Sequence, residues 1–154
     1  MSNLSGPLSH ELKKDDILCL EGEGESDHDL YFIHRGELLI CVLKGSQVTP
    51  LAYLEQGEYF GEMSFFDRRP RSATVIATQD CELVRIPVNE LEKQFPLWLY
   101  TLATSICTKI RHVDELIRVK GIKKQNVKGI RPLDMKEQTH YFQLIKKAKA
   151  KRAN

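Results

Sequence analysis

Residues Phe60 to Thr74 read FGEMSFFDRRPRSAT, and the rest of the chain is best understood outward from them. Met63, Phe65 and Phe66 can form one apolar turn of helix whose first residues are Gly61 and Glu62. A helix start leaves backbone N–H groups unpaired and carries a partial positive charge, so it attracts an anion. Gly61 has no Cβ, which lets that backbone come close to a ligand. Arg71 adds a planar, permanently charged fork suited to phosphate oxygens, and Pro70 fixes the backbone just before it. Glu62 should repel a phosphate, because a carboxylate only accepts hydrogen bonds. It makes sense if the ligand also donates a hydroxyl. A ribose joined to a cyclic phosphate offers both groups.

Phe60-Gly61-Glu62-Met63-Ser64, followed by Pro70-Arg71-Ser72-Ala73-Thr74, resembles the phosphate-binding cassette of the cyclic-nucleotide-binding domain family. This is the domain of the catabolite activator protein and of the protein kinase A regulatory subunit. The family pattern is F-G-E, an apolar residue, a small residue, then a gap to R-[AST]-A. The resemblance implies that Glu62 takes the ribose 2′-hydroxyl, while Arg71 and the N–H groups at the helix start take the phosphate. The ligand-binding set is then Phe60, Gly61, Glu62, Met63, Ser64, Arg71, Ser72 and Ala73, with no cofactor and no metal. Ser64 departs from the usual alanine, though a small hydroxyl still fits. Arg68 and Arg69 add positive charge that suits a larger or doubly charged ligand, such as a cyclic dinucleotide. Ser72 could reach the phosphate or a guanine amine, so it does not choose between cyclic AMP and cyclic GMP. Cyclic AMP is favoured as the commoner ligand of bacterial-looking single domains. The alternative is a ligand-free scaffold of the same fold that serves protein–protein interaction.

From Ile17 to Arg85 the chain reads as short β runs punctuated by turns. The runs are Ile17–Leu20, Leu30–Ile33, Leu38–Leu43, Val48–Leu54, Arg71–Ala77 and Cys81–Ile86, with Lys44-Gly45-Ser46 as a hairpin turn. Pro7 to Lys14 reads as a short helix capped by Ser5 or Ser9. Asp27, His28 and Asp29 read as a solvated hairpin tip, since their spacing suits neither an EF-hand nor a zinc site. The expected fold class is α+β, mainly β: a jelly-roll-like β-roll of about eight antiparallel strands with flanking C-terminal helices. The resemblance covers about residues 12–120 and implies the same architecture.

At 154 residues and 42% hydrophobic content, the chain is long enough for a real core. The polar N-terminus has no run of signal-peptide or membrane-spanning length, and the cytoplasm is the expected location. Cys19, Cys41, Cys81 and Cys107 form no C-x-x-C pair and read as buried thiols. The net charge of +2 conceals an asymmetry. Residues 121–154 hold ten Lys/Arg against Asp134 and Glu137, whereas the first 120 residues hold thirteen against nineteen acids. Two units follow: residues 1–120, the binding domain with its long helix, and residues 121–154, a basic tail that is in part helical.

After Ile86, Pro87 opens a short helix through Gln94, and Pro96 opens a longer one. Leu99, Ala103, Ile106, Ile110, Val113 and Ile117 step by four and three along it, the seam of a coiled coil, with Leu102 and Leu116 placed to pack on the barrel. A homodimer through the 96–118 helix is expected. By the resemblance, residues near Arg111, Val113 and Asp114 lie over the purine. In the tail, Asp134 can cap a helix whose apolar face carries Met135, Tyr141, Leu144 and Ile145. The tail is too short for a winged helix-turn-helix, so sequence-specific DNA binding is not expected. Electrostatic contact with a membrane or nucleic acid is left open. His10, His28, His34, His112 and His140 share no metal-site spacing, and no G-x-S-x-G elbow occurs, so no catalysis is expected. The chain reads as a lone sensor whose output passes to an unknown downstream protein.

Overall fold

The computed structural model describes residues 8–24, 28–91, 95–120 and 130–153. Eight antiparallel strands form two four-stranded sheets. In chain order they are β1 (Ser9–Leu12), β2 (Ile17–Cys19), β3 (Leu30–Arg35), β4 (Leu38–Lys44), β5 (Gln47–Leu54) and β6 (Tyr59–Phe60). Helix α1 (Glu62–Asp67) interrupts them before β7 (Thr74–Ala77) and β8 (Cys81–Ile86). Helices α2 (Val88–Leu91), α3 (Leu97–Lys120) and α4 (Met135–Arg152) follow. One sheet runs β1-β8-β3-β6 and the other β2-β7-β4-β5. This is the expected jelly-roll-like β-roll, mainly β, with C-terminal helices.

Alternation along each strand sends side chains to opposite faces, and both faces of the second sheet are apolar. Leu38, Val75 and Ala77 join Leu12, Tyr31, Ile33, Phe60 and Leu83 inside the roll. Their neighbours Leu39, Cys41 and Ile76 point to the other side, where Val48, Tyr141 and Ile145 complete a second core. Helix α4 is therefore the outer cover of the β2-β7-β4-β5 sheet. This explains why all four residues of β7 are buried.

The α4 helix begins on a capping box. The Asp134 carboxylate accepts from the N–H groups of Lys136 and Glu137, and the Glu137 carboxylate accepts from the Asp134 N–H at 2.9 Å. The Gln138 side chain then serves the free edge of β5, accepting from Val48 N–H at 2.9 Å and donating to its carbonyl at 2.6 Å. The expected face of α4 needs one correction. Met135 is 85% exposed, since it lies about 240° around the helix from Tyr141, and Phe142 and Ala148 pack alongside Tyr141, Leu144 and Ile145 instead.

The expected N-terminal helix is a strand. Ser9, His10, Glu11 and Leu12 pair with Val84, Leu83, Glu82 and Cys81, and Leu12 is buried. A helix of only eight residues gains little beyond its nucleation cost, whereas the edge of β8 offers ready backbone partners. Ser5 and Pro7 lie outside the described residues.

Along α3 the expected barrel contact is also corrected. Leu102 is half-exposed, beside Leu97 and Trp98 at 80% and 68% exposure. The face turned to the roll is the one carrying Tyr100, Thr104, Cys107 and Arg111, again at steps of four and three. Of the expected seam, Ile106, Ile110 and Val113 stand exposed, while the side chain of Ile117, like that of the flanking Leu116, lies outside the described residues. Among the described residues, no helix is long and apolar enough to cross a membrane.

All four cysteines are buried free thiols. Burial pushes the Cys41 thiol up to about 12, with Glu21 and Cys19 adding to the shift, so it stays protonated and unreactive at neutral pH.

Candidate ligand-binding site

The stretch from Phe60 to Ala73 wraps one end of the roll. Phe60 ends β6 with its ring stacked on Tyr31 at 4.9 Å, which anchors the entrance to the loop in the core. Gly61 follows as the N-cap of α1 with φ +89°, a conformation that side-chain-bearing residues rarely adopt. Its missing Cβ is required for a second reason. An added methyl would stand 2.5 Å from Arg71 Nη1 and 2.8 Å from the Asp29 carbonyl oxygen. Phe65 is fully buried and fixes α1 to the core, and Arg68 closes the helix in the left-handed region.

Arg71 is only 5% exposed. Its Nη2 donates to the Asp29 carbonyl at 3.0 Å, and its Nη1 lies 3.5 Å from the Gly61 carbonyl. Asp29 in turn is only 5% exposed, which corrects the solvated-tip reading of this loop. Its carboxylate accepts from Arg85 Nε at 2.5 Å and from the N–H of Val88, the first residue of α2, at 2.9 Å. Those two donors hold it inside, and its carbonyl faces Arg71 as a result. Asp27 lies outside the described residues.

All eight residues expected at the site line one cavity of about 260 Å³: Phe60, Gly61, Glu62, Met63, Ser64, Arg71, Ser72 and Ala73. Glu62 is exposed and Ser64 buried. The volume is near the small end of ligand pockets, roughly 300–1,000 Å³. Ile40, Leu51, Ala52, Leu54 and Val75 supply an apolar wall that the motif alone did not reveal. A second cavity of about 280 Å³ adjoins the first at Arg71 and Ser72 and reaches Arg69, Arg111, Asp114 and Glu115. Arg111 and Asp114 thus stand near the first cavity, whereas Val113 is 53% exposed.

The cassette helix is latched to α3. The Phe66 carbonyl accepts from Tyr100 Oη at 3.1 Å and from Thr104 Oγ1 at 3.2 Å. Asp67 and Arg111 form a two-pronged ion pair whose side chains are 3% and 15% exposed. Burial pushes the Asp67 carboxyl up, but the hydrogen bonds from Arg111 and the Arg69 N–H, with the nearby positive charge, outweigh it and leave the group below its ordinary value of 3.8. Sequence reasoning missed this pair because its members lie on separate elements.

Comparison with known proteins identifies the arrangement. The model of the family described as cyclic nucleotide-binding domain matches residues 9–95. The chain belongs to the cyclic nucleotide-binding domain family. The sequence is 33% identical over 96 residues to the cyclic AMP receptor protein of Thermus thermophilus, covering 60% of this chain and 44% of that one. It is 32% identical over 71 residues to a cAMP-dependent protein kinase regulatory subunit of Hypocrea atroviridis, covering 46% of this chain and 14% of that one. Among solved structures, the EAL enzyme Bd1971 in its cAMP-bound form aligns with a TM-score of 0.60 at 28% identity, over 73% of this chain and 31% of that one. Its cGMP-bound form aligns with a TM-score of 0.59 at 26% identity, over 73% of this chain and 32% of that one. This chain therefore spans less than half the length of each of these relatives.

Proposed function

We propose that this domain binds a 3′,5′-cyclic mononucleotide and acts as a sensor that relays occupancy to a partner protein. The observation that carries the reading is the convergence of a buried arginine, a Cβ-free backbone and an exposed glutamate on one cavity. Arg71 would meet the phosphate as a charge-assisted fork, Glu62 would accept the ribose hydroxyl, and the apolar wall would receive the base. Cyclic AMP is favoured over cyclic GMP. Two relatives are named for cyclic AMP, although Bd1971 has both a cAMP-bound and a cGMP-bound form. No chemical step is assigned to the domain; binding is the function.

Relay would run through the latch between α1 and α3. Phosphate capture would draw the cassette inward, and α1, whose Phe66 and Asp67 hold Tyr100, Thr104 and Arg111, would pull α3 with it. The ligand shifts that equilibrium only by its difference in affinity for the two arrangements. The exposed stripe of Ile106, Ile110 and Val113 supports a homodimer through α3.

A thermal-shift screen against cyclic AMP, cyclic GMP and cyclic dinucleotides tests the reading. Preferential binding to the native state raises Tm, and cyclic AMP should raise it most. A flat response to every nucleotide would overturn the sensor role in favour of a ligand-free interaction scaffold.

A further inference from the structure

The segment from Leu20 to Gly24 joins two distant parts of the molecule. On its inner side Gly22 N–H donates to the Arg71 carbonyl at 2.9 Å, and Arg71 N–H donates to the Glu23 carbonyl at 2.6 Å. This reciprocal pair holds the main chain from which the Arg71 side chain springs. Gly24 packs so closely that a Cβ there would meet Pro70 Cα at 2.8 Å. On its outer side the Glu23 carboxylate accepts from Arg152, in the last turn of α4, and also from Leu20 N–H at 2.7 Å. Arg152 donates a further bond to the Ile17 carbonyl at 3.1 Å.

We propose that α4 is a remote part of the nucleotide site. Arg152 clamps Glu23 and Ile17, Glu23 fixes the backbone of Arg71, and docking of α4 on the sheet is thereby linked to binding in the cavity. Neither Arg152 nor Glu23 lines that cavity, so both are positioning residues. The clamp stands on the protein alone, and its ligand half rests on the cyclic-nucleotide reading above.

Linkage is reciprocal: if docked α4 improves nucleotide binding, bound nucleotide must tighten α4 by the same factor. The Arg152 and Glu23 side chains are 38% and 35% exposed, so water screens their pairing and the coupling is modest. What the ligand would control is how firmly a basic helix sits on its sheet. That helix turns Lys136, Lys146, Lys147, Lys149 and Lys151 to solvent while its apolar stripe stays covered.

The test compares wild type, Arg152→Ala, Arg152→Lys and the exposed control Lys151→Ala. Without ligand, amide exchange at Gly22 and Arg71 should quicken about two- to fivefold in Arg152→Ala and stay unchanged in Lys151→Ala. Equal exchange in Arg152→Ala and wild type would overturn the clamp. By calorimetry with cyclic AMP, Arg152→Ala should bind about two- to fivefold more weakly, and Arg152→Lys should recover part of the loss. Saturating cyclic AMP should slow exchange of the last-turn amides of α4 in wild type but not in Arg152→Ala, a response that a merely structural arginine would not produce. Equal affinities, or α4 exchange indifferent to nucleotide, would overturn the linkage. Failure of wild type to bind either cyclic nucleotide would refute the sensor reading instead, and the exchange comparison without ligand would still decide the clamp.

Discussion

Replacing Gly61 by alanine tests the site at its tightest point, and Gly57 supplies a matched control. Both glycines have φ near +90°, +89° at Gly61 and +93° at Gly57. An alanine at either position carries a backbone strain of about 1–2 kcal/mol. At Gly57 nothing lies within 4 Å of the added methyl, so strain is the whole cost. At Gly61 the methyl would stand 2.5 Å from Arg71 Nη1 and 2.8 Å from the Asp29 carbonyl oxygen. The guanidinium can swing away but the carbonyl is backbone, so a further loss of about 1–3 kcal/mol is expected as the Arg71–Asp29 hydrogen bond breaks. At about 2–4 °C per kcal/mol for a domain of this size, Gly57→Ala should lower Tm by about 2–8 °C, and Gly61→Ala by a further 2–12 °C. The two should differ more sharply in ligand binding. Gly57→Ala should keep wild-type affinity for cyclic AMP, whereas Gly61→Ala should lose about tenfold or more, because it displaces the group assigned to the phosphate. Differential scanning calorimetry and titration calorimetry on the three proteins suffice. Equal melting temperatures for the two variants would refute the close approach of Gly61 to Arg71, and with it the geometry of the pocket.

Arg71→Ala should weaken cyclic AMP binding by about 2–4 kcal/mol, or roughly 30- to 1,000-fold in titration calorimetry, because a charge-assisted contact to a partly buried phosphate is lost; unchanged affinity in a folded variant would remove Arg71 from its role. The depressed Asp67 carboxyl makes the α1–α3 latch acid-sensitive. Its stabilisation is fully present above the unfolded value near 3.8 and is lost as pH falls through the lower folded value, so Asp67→Asn should flatten the fall in Tm measured between roughly pH 5 and pH 3. Ile145→Ala empties a fully buried position between α4 and the sheet and should cost about 2–5 kcal/mol in denaturant unfolding. Ile106→Glu combined with Ile110→Glu charges the exposed stripe of α3, and light scattering should report a dimer for wild type and a monomer for the variant; a wild-type monomer would remove the stripe from that role.

The contrast between what the sequence disclosed and what it concealed has a physical cause. The cassette was legible because its chemistry is local: Phe60 to Ala73 carry glycine, carboxylate and arginine within fourteen consecutive positions, and β-roll topology folds them around one cavity. Asp29 was misread because its burial depends on Arg85 and Val88, 56 and 59 residues away. The Asp67–Arg111 latch, 44 residues apart, was invisible for the same reason. Strand β1 was misread because Ser9–Leu12 is strand only through the edge of β8. The covering role of α4 was more nearly within reach. A sheet buried on one face alternates apolar with polar residues, whereas Leu38–Leu43 and Thr74–Ala77 run almost without polar interruption. Such runs call for a second cover over Leu39, Cys41 and Ile76. Of the segments left over, α3 carries polar Thr104 and Arg111 on the face it turns to the roll, while the stripe of Tyr141, Leu144, Ile145 and Ala148 is apolar. The lysines around that stripe drew attention to charge, yet they mark only the solvent side of a helix whose other side closes the fold.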